Sequence, residues 1–152
     1  MLTDFLLASL HHLLAFGLVA MLALQSGLLS RPIDAAAMRR LAGLDRGYGL
    51  TAVLLLFAGG ARLFHGVKGS DFYLHNPWFH AKVGAFVLTA ALSLWPTLAF
   101  LQWRRQLRAN AAWSPDPAQV GRLRTIVRLE FALIAVILVC AAGMARHGGL
   151  PF

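Results

Sequence analysis

The sequence predicts an all-α integral membrane protein, a four-helix bundle. Hydrophobic residues make up 59% of the 152 positions and charged residues only 13%. That is too little charge to cover the surface of a soluble domain. Four long apolar runs stand out, and a helix needs ~20 mostly apolar residues to cross the hydrocarbon core. The runs lack the period-two alternation of barrel strands, and only helices or closed barrels satisfy their backbone in lipid. The expected helices cover about 4–29, about 47–65, about 77–103 and about 121–145, within a single transmembrane domain of residues 1–152.

The first run is Phe5 to Leu29. The preceding residues carry Asp4 where a cleavable signal peptide has positive charge, so the first helix is expected to be retained. The second run, about Gly47 to Phe64, is shorter. It needs tilt or an extension through Leu41 and Leu44, while Asp34 can start a short surface helix through Arg39 and Arg40. The third run is Trp78 to Trp103, with Asn76 as N-cap, Pro77 at the first helical position and Trp78 at interface depth. Pro96 is expected to kink it, because it deletes a backbone hydrogen bond. The fourth run is Ile126 to Ala145, after a Ser-Pro-Asp-Pro break at 114–117 with Asp116 as a cap. Cys140 is the only cysteine and reads as a small buried hydrophobe.

Charge predicts the topology. Of the 14 Lys and Arg residues, ten lie in or beside two stretches. These are the loop after the first helix (Arg31, Arg39, Arg40, Arg46) and the loop after the third (Arg104, Arg105, Arg108, Arg122, Arg124, Arg128). Arg62, Lys68, Lys82 and Arg146 are on the other side. The positive-inside rule places the Arg-rich loops in the cytoplasm and both termini outside, in the periplasm for the inner membrane of a Gram-negative bacterium. The basic residues sit between apolar runs rather than on one polar face, which excludes a nucleic-acid reading of the net charge of +8. The partner this composition demands is the lipid bilayer. The sequence leaves a homo-oligomer open.

All six histidines (His11, His12, His65, His75, His80 and His147) fall at or near the outer helix ends or in the outer loop. Helix-end histidines can be plain interface residues, and that reading is preferred for His75 and His147. His12 is left open, since adjacent helical positions point ~100° apart. For His11 and His80 a ligand role is preferred. Polar side chains inside membrane helices are costly and mark sites, and neutral imidazole is a common metal and haem ligand. Lys82 is either a snorkelled interface lysine or a cation holding an anionic group. It stands only ~7.5 Å beyond Pro77, and it points ~200° away from His80. Glu130 is the only acid inside an expected span; it reads mainly as structural, with Arg40 or Arg46 as its partner, and a proton path is the alternative.

The stretch Leu74 to Lys82 (LHNPWFHAK) resembles a family of small bacterial four-helix membrane proteins known only as a domain of unknown function. The chain is more distantly similar to the HemJ-type protoporphyrinogen IX oxidases and the CopD-like copper-resistance membrane proteins. The SLHHLLAFG segment around His11 looks like the first-helix motif of the HemJ type, and WFHAK (Trp78 to Lys82) looks like its third-helix motif. The RLE segment at 128–130 looks like the start of its last helix. Where the HemJ type has a Tyr-His pair, this chain has Ser93-Leu94-Trp95-Pro96. The resemblance implies haem b in the bundle with His11 as axial ligand, a redox or electron-transfer role, and Lys82 as a functional, catalytic residue of a membrane oxidoreductase. Porphyrin or a redox partner would then be its partners.

Three functions follow as expectations. The first is haem b binding, with His11 and either His65 or His80 as ligands and Lys82 or Arg62 at the propionates. The second is copper handling by His11 and His80 as metal ligands. The third is a cofactor-free membrane subunit.

Overall fold

The computed structural model describes residues 2–65 and 69–146, the side chains of His65 and Gly69 excepted. Five helices follow one another: α1 (Leu2–Leu29), α2 (Ala35–His65), α3 (Gly69–Leu74), α4 (Pro77–Ala109) and α5 (Pro117–Arg146). There is no strand among the described residues. The four long helices are each long and apolar enough to cross a membrane. Large side chains such as Phe5, Phe16, Phe57, Trp95 and Val139 lie on the outer surface. In water such a belt would be an aggregation surface; here it faces lipid, and the protein is an all-α integral membrane protein.

Each helix buries one narrow stripe. In α1 it is Leu18, Leu22, Gln25 and Leu29; in α5 it is Val120, Leu123, Val127 and Glu130. These steps of three and four residues keep one seam facing the partner helices. The helices pack in the cyclic order α1, α2, α4, α5, with α1 closing back on α5. Small residues set the register. An added Cβ at Gly17 would meet Thr51, one at Gly47 would meet Met21, and one at Gly59 would meet His11. At the opposite seam Trp103 Nε1 donates to Gln119 Oε1 at 2.8 Å, and Trp78 lies against Gly143. Close approach of this kind, not hydrophobic exclusion, drives helix association in lipid.

The tightest core lies toward the Arg-rich end. Leu29, Met38, Leu41, Phe100, Trp103 and Leu123 pack there, with Phe100 and Trp103 edge to face. Arg124 Nε donates to the Leu29 carbonyl, satisfying a free acceptor at the end of α1. The histidine-bearing end is looser, and the polar pocket described below lies in it.

Two elements differ from the sequence expectation. Helix α2 begins at Ala35, so it takes the extension through Leu41 and Leu44 and goes beyond it, and the stretch expected as a separate surface helix forms its first turns. Asp34 Oδ1 accepts from Ala37 N at 2.6 Å, as an N-cap does. Buried Met38, Leu41, Asp45 and Tyr48 then continue one seam through the charged segment. The short helix α3, between α2 and α4, was not expected.

Candidate functional site

The cap of α4 sets the site. Asn76 is fully buried, and its Oδ1 accepts from Trp78 N at 3.0 Å. Pro77 supplies the first helical residue. From that start the helical pitch turns Lys82 inward and His80 outward. Lys82 lines a pocket at the histidine-bearing end, whereas His80 is exposed and its Nε2 donates to the Leu74 carbonyl at 2.8 Å.

All five helices reach this pocket, a small cavity of about 40 Å³. His11 comes from α1, Arg62 from α2 and Lys82 from α4; Tyr73 of α3, Phe79 of α4 and Met144 of α5 form the walls. Gly59 faces the imidazole across the α1–α2 seam, and a Cβ there would lie 3.4 Å from His11 Cε1. The glycine leaves that edge of the ring uncrowded. Tyr73 is buried and packs on Phe79 at 5.8 Å between ring centroids, which closes the wall next to Lys82.

The polar groups of the pocket share one sign. His11, Arg62 and Lys82 are close enough to interact electrostatically, and no acid lines the space with them. Two of their nitrogens, His11 Nδ1 and Arg62 Nε, are buried without a hydrogen-bond partner. An orphaned polar group of this kind costs ~1–3 kcal/mol. The backbone of Leu55 lies close to the His11 ring. In a neutral imidazole one nitrogen donates and the other carries a lone pair. Nδ1 is covered by α2 at Gly59, and no hydrogen bond fixes which ring nitrogen carries the proton.

The other candidate residues separate from this cluster. His12 is exposed and its Nδ1 donates to the Ala8 carbonyl at 2.6 Å. His75 is exposed beside Asp71, 3.2 Å from Oδ1. The His65 side chain, Lys68 and His147 lie outside the described residues. The structure thus brings together His11, Arg62 and Lys82 but not His80. Tyr73, Phe79 and Met144 were missed from the sequence, because nothing local marks a wall residue contributed by another helix. Cys140 is buried near Lys82.

Glu130 also differs from expectation. Arg40 and Arg46 are exposed, and among the described residues Glu130 makes no salt bridge. Its neighbours are Asp45 and Tyr48 of α2. Asp45 was not recognised as an intramembrane acid, because the early start of α2 was missed. The stripe of Met38, Leu41, Asp45 and Tyr48 was the signal that could have found it.

Among the described residues no group of three or more His, Cys, Asp or Glu is placed to hold a metal ion. Comparison with known proteins adds one finding. A family model described as "Predicted membrane protein (DUF2214)" matches residues 3–149. No curated protein matches the chain, and no solved structure does. With nearly its whole length covered and four apolar helices in a bundle, the chain belongs to the DUF2214 family of predicted membrane proteins.

Proposed function

We propose that this protein binds haem b in the pocket at its histidine-bearing end and has a redox role there. One observation carries the reading: a buried imidazole nitrogen of His11 has no partner, in a pocket whose other charged side chains are Arg62 and Lys82. The donor types match those of a haem site, and a haem would have to part the helices around this cavity of about 40 Å³ to enter. Haem needs an imidazole for its iron and cations for its two carboxylates. When bound, haem b supplies one-electron redox chemistry.

The chain's own residues divide the work. His11 would offer its imidazole to the iron, with the Leu55 backbone beside the ring. Arg62 offers a planar fork suited to a carboxylate, and its unpartnered Nε is one of the donors. Lys82 adds a compact point charge. Tyr73 and Phe79 keep water from the wall beside Lys82. His80 is tied to Leu74 and is not in the ligand set.

The copper reading has less behind it, because Arg62 and Lys82 repel a metal cation next to His11. A cofactor-free subunit leaves the orphaned nitrogens of His11 and Arg62 without a purpose.

Haem titration of the purified protein in detergent tests the proposal. Wild type is expected to bind one haem with a shifted Soret band. Loss of a hydrogen bond to a charged group costs ~1.5–3 kcal/mol, so Arg62→Ala/Lys82→Ala is expected to bind at least about tenfold more weakly. Equal affinity in that variant would remove the carboxylate-binding role.

The proposal also places the Arg-rich end in the cytoplasm of a bacterium and the pocket on the periplasmic side, on the strength of the basic-residue imbalance. A C-terminal alkaline phosphatase fusion should then be active and a C-terminal green fluorescent protein fusion dark. The reverse pattern would invert the topology.

A further inference from the structure

We propose that Asp45 and Glu130 form a second, separate site inside the bundle that takes up and releases a proton. The site stands on its own observations and does not rest on the haem reading. Both carboxyls occupy inward stripe positions, where every other turn presents an apolar side chain. Glu130 is 1% exposed and its Oε1 has no hydrogen-bond partner; Asp45 is 8% exposed. Thr97 Oγ1 donates to Asp45 Oδ1 at 3.0 Å, so Asp45 is held in place while Glu130 Oε1 is left free. The two acids interact electrostatically with each other, and each with Tyr48.

Charge balance points to the ligand. At this level α1 presents the amide of Gln25, whose Nε2 is buried without a partner. The contacts of Met21 with Gly47 and of Thr51 with Gly17 put Gln25 level with the start of the Asp45 turn. Helix α4 has no titratable residue between Lys82 and Arg104, only hydroxyls such as Thr97. Helix α2 contributes Asp45 and Tyr48. On α5, Arg128 is exposed and two positions from Glu130, so it points to the other side. No cation therefore neutralises the pair among the described residues.

Two neighbouring carboxylates cannot both stay ionised in such a place without a counter-charge. A proton is the smallest charge that resolves this, and it needs no further ligands. A metal cation is less favoured, because among the described residues no third acid or histidine joins the two carboxyls. His11 lies fourteen residues from Gln25 along α1, about 21 Å along the helix axis. The proton site and the cationic pocket are thus distinct, at different depths of one bundle.

Dicyclohexylcarbodiimide tests this on the full-length protein in detergent or native membranes. The reagent takes the proton of a protonated carboxyl, the carboxylate adds to its central carbon, and the adduct rearranges to a stable N-acylurea. Nothing leaves and no redox partner is needed. The expected result is one adduct at Glu130 or Asp45 by peptide mass mapping. Its rate should fall about tenfold per pH unit once the site ionises, and sodium or potassium at fixed pH should not protect. Glu130→Gln/Asp45→Asn should lose the adduct while retaining the monodisperse elution of wild type. No adduct at either acid in the folded protein, or a rate indifferent to pH, would overturn the proposal. Protection by sodium would overturn it in favour of a metal cation.

Discussion

His11→Ala is expected to abolish haem binding, while His12→Ala and His80→Ala keep it. The difference comes from hydrogen-bond partners. The rings of His12 and His80 are exposed and already donate to the Ala8 and Leu74 carbonyls. Among the described histidines only His11 combines a place in the pocket with a buried ring nitrogen that has no partner. The substitution removes the iron ligand and leaves Arg62 and Lys82 in place, so residual affinity for carboxylates is expected to be weak and without the spectrum of an imidazole-ligated haem. The fold should tolerate the change, since the substitution removes a half-buried ring whose Nδ1 has no hydrogen-bond partner. Haem content by pyridine haemochrome assay, set beside the thermal midpoint of each variant, separates loss of the ligand from loss of the fold.

Gly143→Val is expected to give the largest loss of stability of any side chain added at a described helix glycine. The Trp78 ring lies on the backbone of α5, and a Cβ at 143 would stand 2.8 Å from Trp78 Cδ2 and 3.0 Å from Cε2 and Cε3. A rigid aromatic ring cannot yield that distance as a flexible chain end can. Overpacking of this kind costs ~1–3 kcal/mol, and a β-branched residue stands at its upper end. The damage reaches the pocket as well, because Met144 and Phe79, both wall residues, adjoin Gly143 and Trp78 in the chain. Haem affinity should therefore fall with stability. Gly84→Ala is the matched control: nothing lies within 4 Å of its Cβ position, and replacing a mid-helix glycine gains ~0.5–1 kcal/mol. Thermal unfolding in detergent should shift the two variants in opposite directions.

The sequence carries the spans well and the site only in part, for physical reasons. Hydropathy is a local property, so the apolar runs mark α1, α4 and α5 directly. The cap of α4 is equally local: Asn76, Pro77 and Trp78 are neighbours, and the geometry between them needs no other helix. Helical pitch also decides that His80 and Lys82 cannot face the same way. The start of α2 was hidden because Arg39, Arg40, Asp45 and Arg46 lower the hydropathy of a segment whose inward stripe is continuous. A search for steps of three and four would have found Met38, Leu41, Asp45 and Tyr48, and with them the second intramembrane acid. The assignment of Glu130 to an arginine failed for the same reason, since its neighbour Asp45 was thought to lie outside the membrane. What joins His11, Arg62 and Lys82 is long-range packing of three helices, which no local pattern encodes.

Proton uptake by Asp45 and Glu130 and haem binding near His11 are separable properties of one bundle. Loss of either leaves the other testable, because they share no side chain. The central claim is the haem, and the most direct measurement is the reduced-minus-oxidised difference spectrum of wild-type protein purified in detergent from haem-replete cells. The account predicts a Soret band and the α and β bands of a b-type haem. A protein that is monodisperse and folded but shows no Soret absorption, before or after added haem, would contradict it.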